Sequence, residues 1–298
     1  MRLEKEADVG GIPMKHYEAY GIATRNTKIQ GQFYRLADEE VFIHHFEPLQ
    51  KNNDTILLLH GYMDHSLTSA RLINRLISEG FEVVALDWPG HGLSKGETYH
   101  IQSFRQYNTI FLQLVQDMIE RWGSDRIHLI AHSTGAGVVL DGLTNNLKEM
   151  PTGGIVLTSP LIKLPSHRIG KLFLPFVRKW RKQVRRIYRT NSSDPLFMKA
   201  IEEDPLQHEV IPLTWFDAYL QWHEDMRRRA KCSAENVTIL QGTRDTTVHW
   251  KANMKWLAET LPSAERILID GGGHHLWNEG DLIRELVFRF ILKRLKKT

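Results

Sequence analysis

The pentapeptide Ala131-His-Ser-Thr-Gly135 sits where an apolar run, Ile127-His-Leu-Ile-Ala131, ends and a helical pattern begins. A small residue two before Ser133 and a glycine two after it permit a sharp strand-to-helix turn, which lifts the serine hydroxyl out at the C-terminal edge of a sheet. The helix start behind it offers unpaired N–H groups and the positive end of a dipole, both suited to a developing oxyanion. Serine also caps helices well, so the pentapeptide alone leaves that plainer role open. A serine hydroxyl is a weak nucleophile; it needs a base, and the base needs an orienting anion. With 15 histidines in the chain, position has to select the base. Gly271-Gly-Gly-His-His275 follows the last strand-like run on the same edge as Ser133, so the candidates are His274 and His275. Asp245, in Gln241-Gly-Thr-Arg-Asp245, follows the preceding run on that edge and is the candidate anion. Gly61 follows Thr55-Ile-Leu-Leu-Leu59 and lets the backbone turn the Tyr62 N–H toward the serine. The Thr134 N–H would be the second oxyanion donor, and losing one such donor typically costs ~3 kcal/mol.

Bringing these positions together requires strands and helices in alternation. Gly31 to Leu36 and Val41 to Phe46 read as a hairpin, and Thr55 to Leu59 as a strand covered on both faces. A short helix (about Ser69 to Ser78) leads to the strand Phe81 to Leu86. A long helix follows, with Phe104, Tyr107, Phe111, Leu114, Met118 and Trp122 spaced by three and four. Ile127 to Ala131 and Gly154 to Thr158 are further strands, separated by a helix carrying Val138, Val139, Leu143 and Leu147. Alternation stops at Pro160 and resumes at Val237-Thr-Ile-Leu240. A helix from about Trp250 to Leu261, the strand Arg266 to Ile269 and a last helix with Leu276, Ile283, Leu286 and Phe290 complete the chain. Such alternation means an α/β fold, a mostly parallel sheet with helices on both faces. The basic, helical interruption reads as one insertion into one domain: residues 1–160 and 233–298 form the core and residues 161–232 a cap.

The order Ser133, Asp245, His274 is that of the α/β-hydrolase triad. His60-Gly-Tyr-Met-Asp-His-Ser66, Asp87-Trp-Pro-Gly-His-Gly-Leu-Ser94, Ala131 to Gly135 and His274-His-Leu-Trp-Asn-Glu279 together resemble the α/β-hydrolase superfamily. Within it, the likeness is to the monoacylglycerol lipase and lysophospholipase branch. It runs from about Gly31 onward and is weakest in the insertion. Ala131, Thr134 and Ala136 depart from the branch's usual glycine, methionine and glycine, and none of these changes removes a catalytic group. The resemblance implies an α/β-hydrolase fold with a helical cap inserted after the sixth strand, and His274, five residues before Glu279, as the base. It further implies a serine hydrolase that cleaves carboxylic esters through an acyl-enzyme and needs no cofactor. A serine at the elbow argues against dehalogenases and epoxide hydrolases of this fold, which use aspartate. Thioesterases, aminopeptidases, carbon–carbon hydrolases and cofactor-free haloperoxidases share the serine triad and stay open. So does a non-catalytic receptor for a small apolar ligand, because fold is not function.

Charge is concentrated in the insertion. Between Leu161 and Thr190 lie ten lysines and arginines and no acid, which leaves −6 for the rest of a +4 chain. Phe173, Phe176, Trp180, Val184 and Ile187 recur at helical spacing there, with Pro175 suited to a first turn and Arg178, Lys179, Arg181, Lys182, Arg185 and Arg186 on the other face. Two expectations compete: a helix burying its stripe on the core, or an interfacial lid meeting an anionic membrane. The expected partner is a small lipid or ester substrate rather than nucleic acid, since no nucleic-acid fold surrounds the arginines. His44-His45 and His60 with His65 lack a matching cluster of carboxylates or thiols, so no catalytic metal is expected. Cys232 is the single cysteine, no apolar run approaches the ~18 residues of a membrane span, and the N-terminus is charged throughout. A cytoplasmic location, with peripheral membrane contact through the lid, is the corresponding expectation.

Overall fold

A computed structural model describes residues 12–296 except 146, 166, 168–171, 173–175, 187, 188 and the side chain of 147. Two long antiparallel strands open the sheet, β1 (Thr27–Leu36) and β2 (Glu39–Pro48). They are joined by Ala37 and Asp38, both at positive φ (48° and 66°), the geometry in which a two-residue turn follows the twist of its strands. The strands β3 (Thr55–Leu59), β4 (Glu82–Leu86), β5 (Ile127–His132), β6 (Ile155–Thr158), β9 (Val237–Gly242) and β10 (Glu265–Ile269) are parallel to one another. The sheet order is β1-β2-β4-β3-β5-β6-β9-β10, with β2 antiparallel to β4. All five residues of β3 are buried, as its unbroken apolar run requires.

Alternation along these strands divides the core in two. Leu57, Leu59, Leu129 and Ala131 face helices α3 (Phe104–Trp122) and α4 (Ser133–Asn145). Ile56, Leu58 and Ile130 face α2 (Ala70–Ser78), with Tyr17 of a short helix α1 (Met14–Ala19) in the same cluster. The predicted stripe of the last helix needs correction. Leu276 lies in a separate 3-10 turn, and Leu286 is exposed. Ile283 and Phe290 of the predicted stripe do pack on the core, at its margin, while the fully buried face of the helix, which begins only at Asp281, carries Val287, Phe288, Ile291, Leu292 and Leu295.

Between β6 and β9 the chain leaves the sheet. This stretch contains β7 (Gln183–Arg185), α5 (Pro195–Glu203), β8 (Val210–Pro212) and α6 (Leu213–Met226), followed after β9 by α7 (Trp250–Thr260) and, after β10, α8 (Asp281–Leu295). The single amphipathic helix expected across Phe173 to Ile187 does not run its length. Phe173, Pro175 and Ile187 lie outside the described residues. Phe176 and Trp180 are exposed, and Val184 belongs to β7, paired antiparallel with β8. Two main-chain bonds flank the pairing: Leu213 N–H, at the start of α6, donates to the Lys182 carbonyl at 2.9 Å, and Arg186 N–H to that of Glu209 at 2.6 Å. An ion pair at 3.1 Å joins Arg185 of β7 to Glu209, the residue before β8.

Candidate active site

Ser133 holds φ at 49°, in the left-handed region that costs a non-glycine residue ~1–2 kcal/mol. That turn converts the end of β5 directly into α4. Gly135 makes it possible, since a Cβ there would stand 2.7 Å from the His60 carbonyl oxygen. Parallel neighbours bring the other loops to the same edge. The His274 Nε2 lies 3.1 Å from the Ser133 Oγ, and its Nδ1 lies 2.8 Å from Asp245 Oδ2. A carboxylate only accepts, so Nδ1 carries the hydrogen and Nε2 is left to take one from the serine. Asp245 is fixed by the Thr247 and Val248 N–H groups on Oδ1 and the Gln241 amide on Oδ2. Burial by itself would raise this carboxyl, but the His274 imidazole and those donors outweigh burial and hold it below the ordinary aspartate value. His275, the other candidate base, turns instead toward Asp64 and the Phe197 ring.

Tyr62 and Thr134 line a cavity of about 270 Å³ together with Ser133 and His274. The loop carrying Tyr62 is locked from below. Trp88 donates its main-chain N–H to His60 Nε2 and its indole N–H to the His60 carbonyl, each at 3.0 Å. With Nε2 accepting, His60 Nδ1 donates to the Gly61 carbonyl at 2.7 Å. Above, the Tyr62 ring stacks on Trp215 at 3.9 Å, and its hydroxyl donates to the Tyr99 carbonyl. Leu161, Leu164, Phe197, Ile211 and Trp215 make the cavity wall apolar, while Arg185, Arg186 and Arg189 supply positive charge at the same cavity.

Sequence reasoning missed what steadies the histidine loop. Both His274 and His275 donate main-chain N–H groups to the Asn191 carbonyl at 2.9 Å. Glu279, 1% exposed, accepts from the Gly273 and Ser193 N–H groups and from the Ser193 hydroxyl. The Asn-Glu pair after His274 was the visible signal, but its partners sit some 86 residues earlier in the insertion. Three of the histidines that the sequence set in pairs have carboxylate partners of their own: His44 meets Asp87, His45 meets Glu82, and His65 meets Asp204. Asp87 also accepts the Ser66 and Leu93 N–H groups, and although burial opposes it, the His44 contact and nearby imidazoles hold this carboxyl far below its usual range.

The family described as serine aminopeptidase, S33, matches residues 50–281. The chain belongs to that family. It is therefore an α/β-hydrolase and an enzyme of the serine-hydrolase class. A monoglyceride lipase of Saccharomyces cerevisiae is 25% identical over 317 residues, covering 93% of this chain and 96% of its own. A 2-hydroxy-6-oxononadienedioate/2-hydroxy-6-oxononatrienedioate hydrolase of Klebsiella pneumoniae is 22% identical over 280 residues, covering 84% and 91%. The crystal structure of a soluble variant of the yeast monoglyceride lipase with a substrate analog shares the fold, at TM-score 0.73 and 19% identity over 89% of this chain and 94% of that one. Among the described residues of this α/β-hydrolase, no helix is long and apolar enough to cross a membrane.

Proposed function

We propose that the chain hydrolyses carboxylic esters with a lipid-like acyl chain, of the monoacylglycerol, lysophospholipid or related carboxylester type. The observation that carries this reading is the Ser133–His274 contact opening on an apolar-walled cavity. Ser133 Oγ attacks the ester carbonyl as His274 Nε2 takes its proton, and Asp245 stabilises the resulting imidazolium. The Tyr62 and Thr134 N–H groups receive the oxyanion. His274 then gives its proton to the departing alcohol, leaving the acyl chain on Ser133. Water, deprotonated by His274, adds to the acyl carbonyl; the serine takes the proton back and the acid leaves. Every step uses groups of this chain and water.

In this reading residues 161–232 cap a core of residues 1–160 and 233–298, and Arg185, Arg186 and Arg189 favour an ester that also bears a negative charge. The exposed stretch around Trp180 meets anionic lipid from which such substrates come. The yeast relative's name supports the ester class. The Klebsiella relative's name keeps carbon–carbon bond hydrolysis as a second reading, and the three arginines are the observation in its favour, since that relative is named for a dioate. Labelling with a fluorophosphonate and a substrate panel test both. Rapid labelling of Ser133 with turnover of monoacylglycerol or lysophospholipid is expected. Labelling with cleavage of a vinylogous diketone acid but no ester would replace this reading with the second. A folded protein that refuses the probe would mean a receptor.

A further inference from the structure

One residue before the nucleophile, at the end of β5, His132 is 2% exposed and performs none of the steps above. Its Nδ1 is engaged with the Thr158 hydroxyl at 3.1 Å. Its Nε2 is buried and has no hydrogen-bond partner among the described residues. An orphaned buried nitrogen is costly, so the surroundings bear on what completes it. Asp64 and His275 supply one ligating atom each within 4.8 Å of that of His132 and of each other, and Asp64 Oδ2 lies 3.8 Å from His275 Nε2. Gly61 keeps the group open. A Cβ there would sit 3.1 Å from both Asp64 Oδ2 and His132 Cδ2, the carbon bonded to the orphaned nitrogen.

Two imidazoles and one carboxylate are the donor set of three-ligand zinc sites, where tetrahedral ligands stand about 3.4 Å apart. Closing the present separations to that spacing needs movements of about an ångström. Asp64 and His275 both line the cavity, so a fourth position faces the substrate space. We propose that Asp64, His132 and His275 form a binding site for a divalent cation of the zinc class, and that its occupancy inhibits the hydrolase. Burial keeps both imidazoles unprotonated at neutral pH: His132 is held well below the ordinary histidine value and His275 down to about 3. Lone pairs are therefore ready without displacing a proton from either ring. Burial raises the Asp64 carboxyl above its ordinary value, while His60, Arg186 and the neighbouring imidazoles favour its charged form; Arg186 also acts on His275 as a positive charge. The inhibitory half rests on the ester-hydrolase reading. The His274 ring lies 4.6 Å from that of His132 and 5.5 Å from that of His275, centroid to centroid. An ion held there, with its fourth position open to the cavity, stands beside the base and takes up space that the substrate needs in front of Ser133.

The test uses the full chain, dialysed against EDTA and titrated with Zn²⁺ by calorimetry, with bound metal counted per chain. Hydrolysis of a soluble p-nitrophenyl ester is followed in parallel. The expected result is one Zn²⁺ per chain and EDTA-reversible inhibition of ~10-fold or more, with Co²⁺ in place of zinc giving visible d–d absorption of a low-coordinate site. His275→Gln, checked for folding by its melting curve, is expected to lose zinc binding and, on whatever ester turnover it retains, the inhibition by zinc. Asp64→Asn, checked for folding by its melting curve, should weaken binding as well. An ordered water completing His132, with no zinc bound, overturns the site. Equal binding by the wild type and His275→Gln assigns the metal elsewhere and overturns it too. Binding without inhibition removes the inhibitory half. Should zinc bind while no ester is turned over, the metal site stands and the ester reading fails.

Discussion

Two segments are built in opposite ways, the histidine loop at the cavity and an exposed basic stretch of the insertion. The histidine loop from Gly271 to Glu279 is almost entirely buried, and its polar groups are taken up by Asp245, Asn191, Ser193 and Glu279. The stretch from Phe176 to Gln183 is exposed at every position, and Trp180 is 87% exposed. Chemistry on a fixed bond needs a base held to a fraction of an ångström, which only interlocking buried contacts supply. Contact with a variable surface needs reach and charge, and leaves the side chains in water. The contrast therefore separates residues by what removing them should cost.

The largest cost falls on the buried loop and its partners. Ser133→Ala and His274→Ala are each expected to lower turnover ~10⁴-fold or more, while His275→Ala, whose ring faces Asp64, costs less than ~10-fold. Asp245→Asn should approach the first pair, because an amide can donate to Nδ1 and stabilise the wrong tautomer. Steady-state kinetics on one soluble ester checks all four. A dead His275→Ala beside an active His274→Ala would break the comparison at its centre.

Next comes the clamp. Glu279→Ala leaves the Gly273 N–H and the Ser193 N–H and hydroxyl without their acceptor in a buried place. Unfolding free energy should drop by about 2–4 kcal/mol, and kcat by ~10–100-fold as the His274 loop loosens. If melting falls while kcat is intact, Glu279 holds the insertion to the core without positioning the base.

These two costs differ in how far the sequence announced them. The strands, their order of use and the meeting of Ser133, Asp245 and His274 were legible because each rests on local signals: apolar runs, a tight turn, a loop after a strand. The parallel topology then turns local position into spatial proximity. The clamp was not legible in the same way. Glu279 meets Ser193, and His65 meets Asp204, across 86 and 139 residues, and no local pattern encodes such pairings. The helical spacing from Phe173 to Ile187 misled for a related reason. A period of three or four predicts a buried stripe only where a core waits for it; here Val184 finds a strand partner in Ile211, and Trp180 finds water. In the last helix the period was real, but one breaking turn at Leu276 to Asn278 takes Leu276 out of the helix, and the fully buried arc centres on Val287 and Ile291 with Ile283 and Phe290 at its margin.

A smaller effect tests how the insertion is held down. His65 and Asp204 form a buried pair at 2.7 Å, with Tyr20 donating to the other Asp204 oxygen. Burial opposes both charges, yet the contact lifts His65 above its ordinary value of 6.5 and lowers Asp204 below 3.8, with Asp87 and Asp64 also favouring the charged imidazole. The raised histidine contributes stability that is complete below 6.5 and is lost as pH rises through its folded value. The lowered aspartate contributes stability that is present above 3.8 and is lost as pH falls through its folded value. Stability from the pair should thus be greatest between these two limits and decline toward alkaline pH. Melting curves from pH 5 to pH 9 are expected to show that decline, and Asp204→Asn to flatten it. An unchanged slope in Asp204→Asn would assign the dependence to other groups.

The smallest effect on the folded protein is expected where the side chains are most conspicuous. Trp180→Ala removes an aromatic ring that is 87% exposed, and Lys179→Glu with Arg181→Glu reverses its flanking charge. None of the three lines the cavity or meets the histidine loop, so stability should move by no more than about 0.5 kcal/mol and soluble-ester turnover should stay as it is. Binding to vesicles of phosphatidylserine and phosphatidylcholine should nevertheless fall, because an interfacial tryptophan and each nearby basic residue contribute to adsorption at ~1 kcal/mol per charge. Salt should weaken the wild type far more than the triple variant, since screening acts on charges and leaves the indole term alone. If the variant adsorbs as the wild type does, the exposed stretch is solvated surface, and the division between a buried catalytic loop and a surface-seeking one loses its second half.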